Sequence, residues 1–237
     1  MILYICIIII LLYICNKNNI ETYINFEKKE SVYDNIDIVY YINLSYRTDR
    51  KQRFLEEMKK INFPENKIKR FEAIKHDRGE IGCSRSHIEI LKEFINSNHK
   101  NCIIFEDDFI FNVDSNIVKL TFKKLFNNNI DYDVIMLSGG ITNYKNTKHD
   151  FLNKVYIATT TSSYLLSKKF AQTLLNNFIE GEKLLNSHNK NYYGMYAIDQ
   201  YWKKLQPNNN WYIFNPKLGK QNNSYSDIEK TYVNYNV

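Results

Sequence analysis

What most narrows the fold of this chain is a rhythm. Short runs rich in β-branched and aromatic residues alternate with stretches whose apolar residues recur at helical spacing. Ile36 to Leu44 (IDIVYYINL) reads as a buried strand that ends at a polar turn. After it, Thr48 is placed to cap a helix carrying Phe54, Leu55, Met58 and Ile61 on one face. Ser86 and Glu89 have capping-box spacing ahead of a helix with Ile88, Leu91 and Ile95. Cys102 to Phe105 is a further apolar strand, Asp133 to Leu137 another, and Ala158 to Leu166 a Thr-rich one ending at Ser167. Beyond Ser167, Phe170, Leu174 and Phe178 recur at i, i+4 and i+8. Short strands alternating with amphipathic helices predict an α/β sheet with helices on its faces. Ligands of such sheets sit at the carboxyl ends of the strands.

Composition removes the competing classes. At 237 residues, 44% hydrophobic and 24% charged, the chain is neither disordered nor short of core material. Seven Gly and three Pro, with no repeat along the chain, exclude collagen-like and solenoid architectures. Of the four Cys, Cys6 and Cys15 lie in an apolar leader, which leaves Cys83 and Cys102 with no CxxC pair and argues against zinc fingers and disulfide scaffolds. Thirty-two basic against 26 acidic residues give +6, compatible with a phosphorylated ligand. The basic residues stand singly or in pairs (Lys59 and Lys60, Lys123 and Lys124, Lys168 and Lys169), which argues against nucleic acid as a partner.

The leader itself, residues 1 to 15 (MILYICIIIILLYIC), has no charge. As a helix it would span about 22 Å against about 30 Å for a bilayer core. No basic residue precedes it and no small-residue cleavage site follows, so an uncleaved single-pass membrane anchor is predicted ahead of a signal peptide or a buried element. Residues 16 to 35 read as a polar stem and residues 36 to 237 as the folded domain.

Four groups of residues carry chemistry. Glu106, Asp107 and Asp108 directly follow the apolar strand, which places three mutually repelling carboxylates at a ligand-facing strand end. Hard oxygen ligands of this kind suit Mg²⁺ or Mn²⁺ completed by substrate phosphates, while the plainer reading is a solvated acidic turn. Gly82, Cys83, Ser84, Arg85, Ser86 and His87 are predicted to precede a helix whose N-terminus favours anions; the alternative is a capped helix with one surface His. Tyr46, Arg47, Thr48, Asp49 and Arg50 stand where the first strand gives way to its helix, with two guanidinium groups suited to phosphate or, more plainly, to a charged first turn. Asp199, in Ala197-Ile198-Asp199-Gln200-Tyr201-Trp202, is an acid beside aromatics of the kind sugars stack on, or an amphipathic turn with Trp202 in the core.

In this order the pieces resemble the family-25 glycosyltransferases, the group of lipooligosaccharide and procollagen galactosyltransferases. The resemblance rests on Tyr41-Ile42-Asn43-Leu44 with Arg47, Asp49 and Arg50, and on Phe71-Glu72-Ala73-Ile74. It continues through Gly79-Glu80-Ile81-Gly82-Cys83 with Ser86-His87, Ile104-Phe105-Glu106-Asp107-Asp108, Tyr164 with Leu166-Ser167, Asp199, and Gln221 with Ser226-Asp227-Ile228. It implies a GT-A-type fold, a Rossmann-like mixed sheet with helices on both faces. It also implies an inverting transfer of a hexose, galactose first, from a UDP-sugar to a hydroxyl of a glycan, glycolipid or protein. Asn43, Arg47, Asp49, Arg50, Ala73, Ser86, His87, Glu106 and Asp107 would then be donor-side residues. Asp108 with Glu106 would hold Mn²⁺ or Mg²⁺, and Asp199 or Asp227 would be the catalytic base, with Asp107 a rival.

A glycosyltransferase-like protein of weak activity that binds glycans is the alternative reading. A metal-dependent phosphoesterase would need more His and Asp ligands in motif spacing than the five His supply. Asn43-Leu44-Ser45 and Asn222-Asn223-Ser224 are glycosylation sequons that overlap the proposed site and are expected to stay unmodified.

Overall fold

The apolar runs become the strands of one mixed sheet. The computed structural model describes residues 13–15, 17, 31–226 and 230–233. The chain divides into two units, Met1–Asp34 and Asn35–Val237. Of the first, only residues 13–15, 17 and 31–34 are described, and Tyr13 to Cys15 are helical and exposed. Most of the apolar leader and Asp227 therefore lie outside the described residues. Among the described residues no helix is long and apolar enough to cross a membrane, and the expected membrane anchor and membrane location are corrected on that finding.

The second unit carries an eight-stranded sheet in the order β2-β1-β3-β8-β5-β9-β7-β6. Its strands are β1 (Ile38–Asn43), β2 (Ile68–Glu72), β3 (Asn101–Glu106), β5 (Val134–Met136), β6 (Gly140–Asn146), β7 (Leu152–Thr159), β8 (Ser163–Ser167) and β9 (Trp211–Phe214). Strands β2, β1 and β3 are mutually parallel, and β8 runs antiparallel between β3 and β5. A short pair, β4 (Phe109–Phe111) with β10 (Gly219–Gln221), and a hairpin, β11 (Ser224–Ser226) with β12 (Thr231–Val233), lie outside it.

Side-chain alternation along β1 and β3 assigns the helices to faces. On one face, Tyr41 stacks on Phe54 of helix α1 (Thr48–Lys60) at 4.5 Å, and Phe105 meets the same ring at 5.4 Å. On the other, Tyr40, Ile42 and Ile104 share a core with Ile88 and Leu91 of α2 (Gly79–Asn96). Helix α3 (Ser115–Asn127) sends Phe122 against Phe214. Phe170, Leu174 and Phe178 of α4 (Lys168–Ser187) join the α2 core together with Trp202 and Trp211, whose rings meet edge-on at 4.9 Å. Burying side chains of this size contributes roughly 1.5–3 kcal/mol each.

Three local expectations change. Thr48 is the first helical residue rather than the cap, and Leu55 is 40% exposed because the buried stripe runs through Phe54, Met58 and Ile61. Helix α2 begins seven residues before Ser86, so Ser86 sits inside it and no N-terminus opens there; its hydroxyl bonds back to the Gly82 carbonyl. The Thr-rich run is two strands. The chain leaves β7, crosses through Thr160 to Ser162, and continues as β8 in the same direction on the far side of two other strands.

Candidate functional site

The parallel strands bring their carboxyl ends to one edge, and the acids follow from that register. Ile42 pairs with Glu106 across β1 and β3, and Asn43 with Glu72 across β1 and β2. The start of β8 is at the same edge, because Phe105 pairs with Ser163. Above it opens a cavity of about 540 Å³ whose walls include Arg50, Ala73, Lys75, His76, Gly82, Cys83, Ser86 and all three acids, with Gln221, Tyr225 and Lys230 opposite. Gly82 is required for this closeness: a Cβ there would stand 2.4 Å from the Ile74 carbonyl oxygen.

Close neighbours in the sequence, the three acids have different surroundings. Asp107 is fully committed. Its Oδ2 accepts from Asn43 Nδ2 at 2.7 Å and its Oδ1 from Arg50 Nη1 at 2.9 Å. Burial nonetheless raises it above the usual carboxylate range against the pull of Arg50. Asp108 receives a longer contact from Arg50, 3.3 Å to Oδ2, and its Oδ1 is buried and accepts no hydrogen bond. Burial first and the charge of Glu106 second push Asp108 up to about 7, against the pull of Arg50 and Gln221. Glu106 pays the same burial penalty but accepts from the Thr161 hydroxyl at 2.8 Å and lies 3.5 Å from His87 Nε2, and the result is a shift below its ordinary value. Coupled acids of this kind titrate as a pair, with Asp108 favoured to hold the proton and Glu106 the charge. An oxygen pair in this condition fits a hard divalent ion, which would replace the proton and occupy the vacant acceptor. Asp107, already held by Arg50 and Asn43, is not part of that donor set.

The remaining sequence candidates fall into two groups. Asn43 and His87 do not line the cavity: Asn43 holds Asp107, while His87 stands beside Glu106 at 3.5 Å; Asn43 is 1% exposed, donates to the Arg47 carbonyl as well, and has no room for a glycan. Arg47 and Asp49 form an ion pair, 3.0 Å, at the start of α1, which holds Asp49 down to about 2. Arg50 reaches further, donating through Nη2 to Ser224 Oγ at 2.9 Å and to the Tyr225 carbonyl at 2.8 Å. Arg85, by contrast, pairs with Glu182 of α4.

Asp199 does not line the cavity. Its Oδ2 accepts the Thr160 backbone N–H at 3.1 Å and Gln200 Nε2 at 3.0 Å, and burial, then Glu106, raise its carboxyl. Thr160 has φ +78°, a genuine outlier for a β-branched residue, with a cost of about 1–3 kcal/mol. Asp199 therefore holds a strained turn whose next residue, Thr161, grips Glu106. The functional residues that the sequence missed are these two threonines, hidden in a run that reads as strand, and Lys75, His76 and Lys230 on the cavity wall. Lys75 lies 5.8 Å over the Tyr46 ring.

Residues 77–202, just over half of the chain, match the sequence profile of glycosyltransferase family 25 (LPS biosynthesis protein). Among curated proteins, none matches the chain in sequence. Among solved structures, a mannose-1-phosphate geranyltransferase from Thermus thermophilus is similar over 76% of this chain and 73% of that one, at 7% identity and a TM-score of 0.43. A glycosyltransferase involved in the glycosylation of the major capsid of PBCV-1 is similar over 74% and 80%, at 10% identity and a TM-score of 0.41.

Proposed function

We propose that this chain, which belongs to glycosyltransferase family 25, moves a hexose from a UDP-sugar to a hydroxyl acceptor in one inverting step, on a GT-A-type scaffold. The observation that carries this reading is the half-satisfied acid pair, Glu106 with Asp108, set on the wall of a cavity of about 540 Å³. Glu106 and Asp108 are the residues to hold Mn²⁺ or Mg²⁺, and when bound the ion supplies positive charge to the departing diphosphate. Arg50, fixed between Asp107 and the hairpin β11–β12, keeps the acid turn in place and adds charge on the same side. Lys75 and Lys230 line the cavity where a second anionic group would lie.

Inversion also needs a group that takes the proton of the acceptor hydroxyl. Asp199 is the candidate among the described residues: burial and the charge of Glu106 raise its carboxyl above the ordinary carboxylate range, which favours proton uptake, and the Thr160 N–H fixes its direction. Galactose is the sugar that the family resemblance puts first. The test is UDP release from UDP-galactose, UDP-glucose and UDP-N-acetylglucosamine with Mn²⁺ and then with chelator. Release from one donor that stops with chelator is expected; donor binding with no release under any acceptor would favour the glycan-binding alternative.

A further inference from the structure

Among the described residues, one set of three metal-ligating side chains converges: Cys83, His87 and Glu106, whose ligand atoms all lie within 4.8 Å of one another. Cys83 and His87 are four apart on α2 and so share a face one turn apart. Glu106 meets them from the end of β3. We propose that these three residues form a site for a borderline-soft divalent ion of the zinc class, distinct in chemistry from the hard-ion pair and sharing Glu106 with it.

Several observations carry this. His87 is wholly buried, and its Nε2 has no hydrogen-bond partner although it lies 3.5 Å from Glu106 Oε1. In a tetrahedral zinc shell, ligand atoms stand about 3.4 Å apart, so this pair is already at bonding separation and the whole set closes with a contraction of at most about 1.4 Å. The other ring nitrogen, Nδ1, is fixed by the Tyr164 hydroxyl at 2.9 Å, the kind of outer contact that orients a ligating imidazole. Tyr164 stacks on the ring at 5.8 Å and Phe178 closes it edge-on at 6.0 Å, so the imidazole has one direction to face. Cys83 and Glu106 line the cavity, which gives the ion a way in and leaves its fourth position to water or ligand. A thiolate, an imidazole and one carboxylate select zinc or cobalt over magnesium or manganese. An ion held there draws on Glu106 and leaves Asp108 alone, so the two sites exclude each other.

The test uses the full chain and Co²⁺ as the spectroscopic stand-in for zinc. Titration should reach saturation at one equivalent with a thiolate-to-cobalt charge-transfer band, and Zn²⁺ should displace it. Cys83→Ser should abolish the band, Glu106→Gln should weaken binding at least about tenfold, and Asp108→Asn should keep it. Circular dichroism reports whether each variant stays folded. No band, or a band that survives Cys83→Ser in the folded protein, overturns the proposal. No step of this test needs transfer activity, so its failure and that of the proposed function are read separately.

Discussion

The two edges of the same sheet both carry acids, and they treat them in opposite ways. At the amino edge, Asp37 accepts the backbone N–H groups of Lys100 and Asn101 just ahead of β3. There too, Asp133 accepts the Asn210 N–H at 2.8 Å and lies 3.3 Å from Lys169 Nζ. These carboxylates staple one strand start to the next chain segment, and Lys169 matches the charge of Asp133. At the carboxyl edge, Asp108 is left with an oxygen that accepts no hydrogen bond, beside a second acid it repels. An acid that is fully bonded holds a fold together; one that is left wanting a cation has been placed at the cost of stability, as ligand sites are.

The contrast makes separable predictions. The largest concerns Asp108→Asn, which should lower UDP release by at least about a hundredfold while the melting temperature of the metal-free protein holds or rises. A variant that keeps its turnover breaks the assignment of this acid to the metal. Next, Asp133→Ala should do the reverse: it strands the Asn210 N–H and should lower unfolding free energy by about 1–3 kcal/mol in a denaturant titration, with turnover per folded molecule unchanged. Equal effects of both variants on both readouts would erase the difference between the edges.

The third concerns pH. Asp108 binds its proton more tightly folded, at about 7, than unfolded, at 3.8. Its contribution to stability is therefore complete below about pH 4 and is lost as pH rises through about 7. Melting curves of the metal-free protein should fall over that window, Asp108→Asn should flatten the fall, and Mn²⁺ should restore more stability at the higher end. A wild type and variant with parallel pH profiles would show that no proton is shared there. The smallest effect is expected of Thr161→Val, which removes the hydroxyl from Glu106. About 1 kcal/mol, or roughly fivefold in turnover, is expected.

The strands and helices were legible because their periodicities are local. Ile38 to Asn43 and Asn101 to Glu106 announce themselves as apolar runs, and the acids that follow are at a ligand edge because parallel strands end together. What separates Asp107 from Asp108 was not legible. Asn43 and Arg50, which hold Asp107, stand 64 and 57 residues away, and no local pattern encodes who reaches whom. Ser86 misled for a related reason. Its spacing to Glu89 suits a cap, but the Ile74 N–H uses the same hydroxyl as a partner, and the helix starts at Gly79 instead. The break at Thr160 went unseen because three threonines in a row have strand propensity, while the Thr160 N–H is held by Asp199 from 39 residues away.

The cavity wall runs from Ile42 to Lys230, and Arg50 is joined to Ser224 and Tyr225 across 174 and 175 residues. A chain emerging from the ribosome therefore completes its acid turn long before the wall that faces it exists. Residues 221 to 226 supply Gln221 beside Asp108 and the Ser224 and Tyr225 partners of Arg50, so the acid turn has part of its surroundings only when they are present. The pocket is consequently among the last parts of the molecule to be completed, and a chain cut upstream of Gln221 carries Glu106, Asp107 and Asp108 without the wall that faces them.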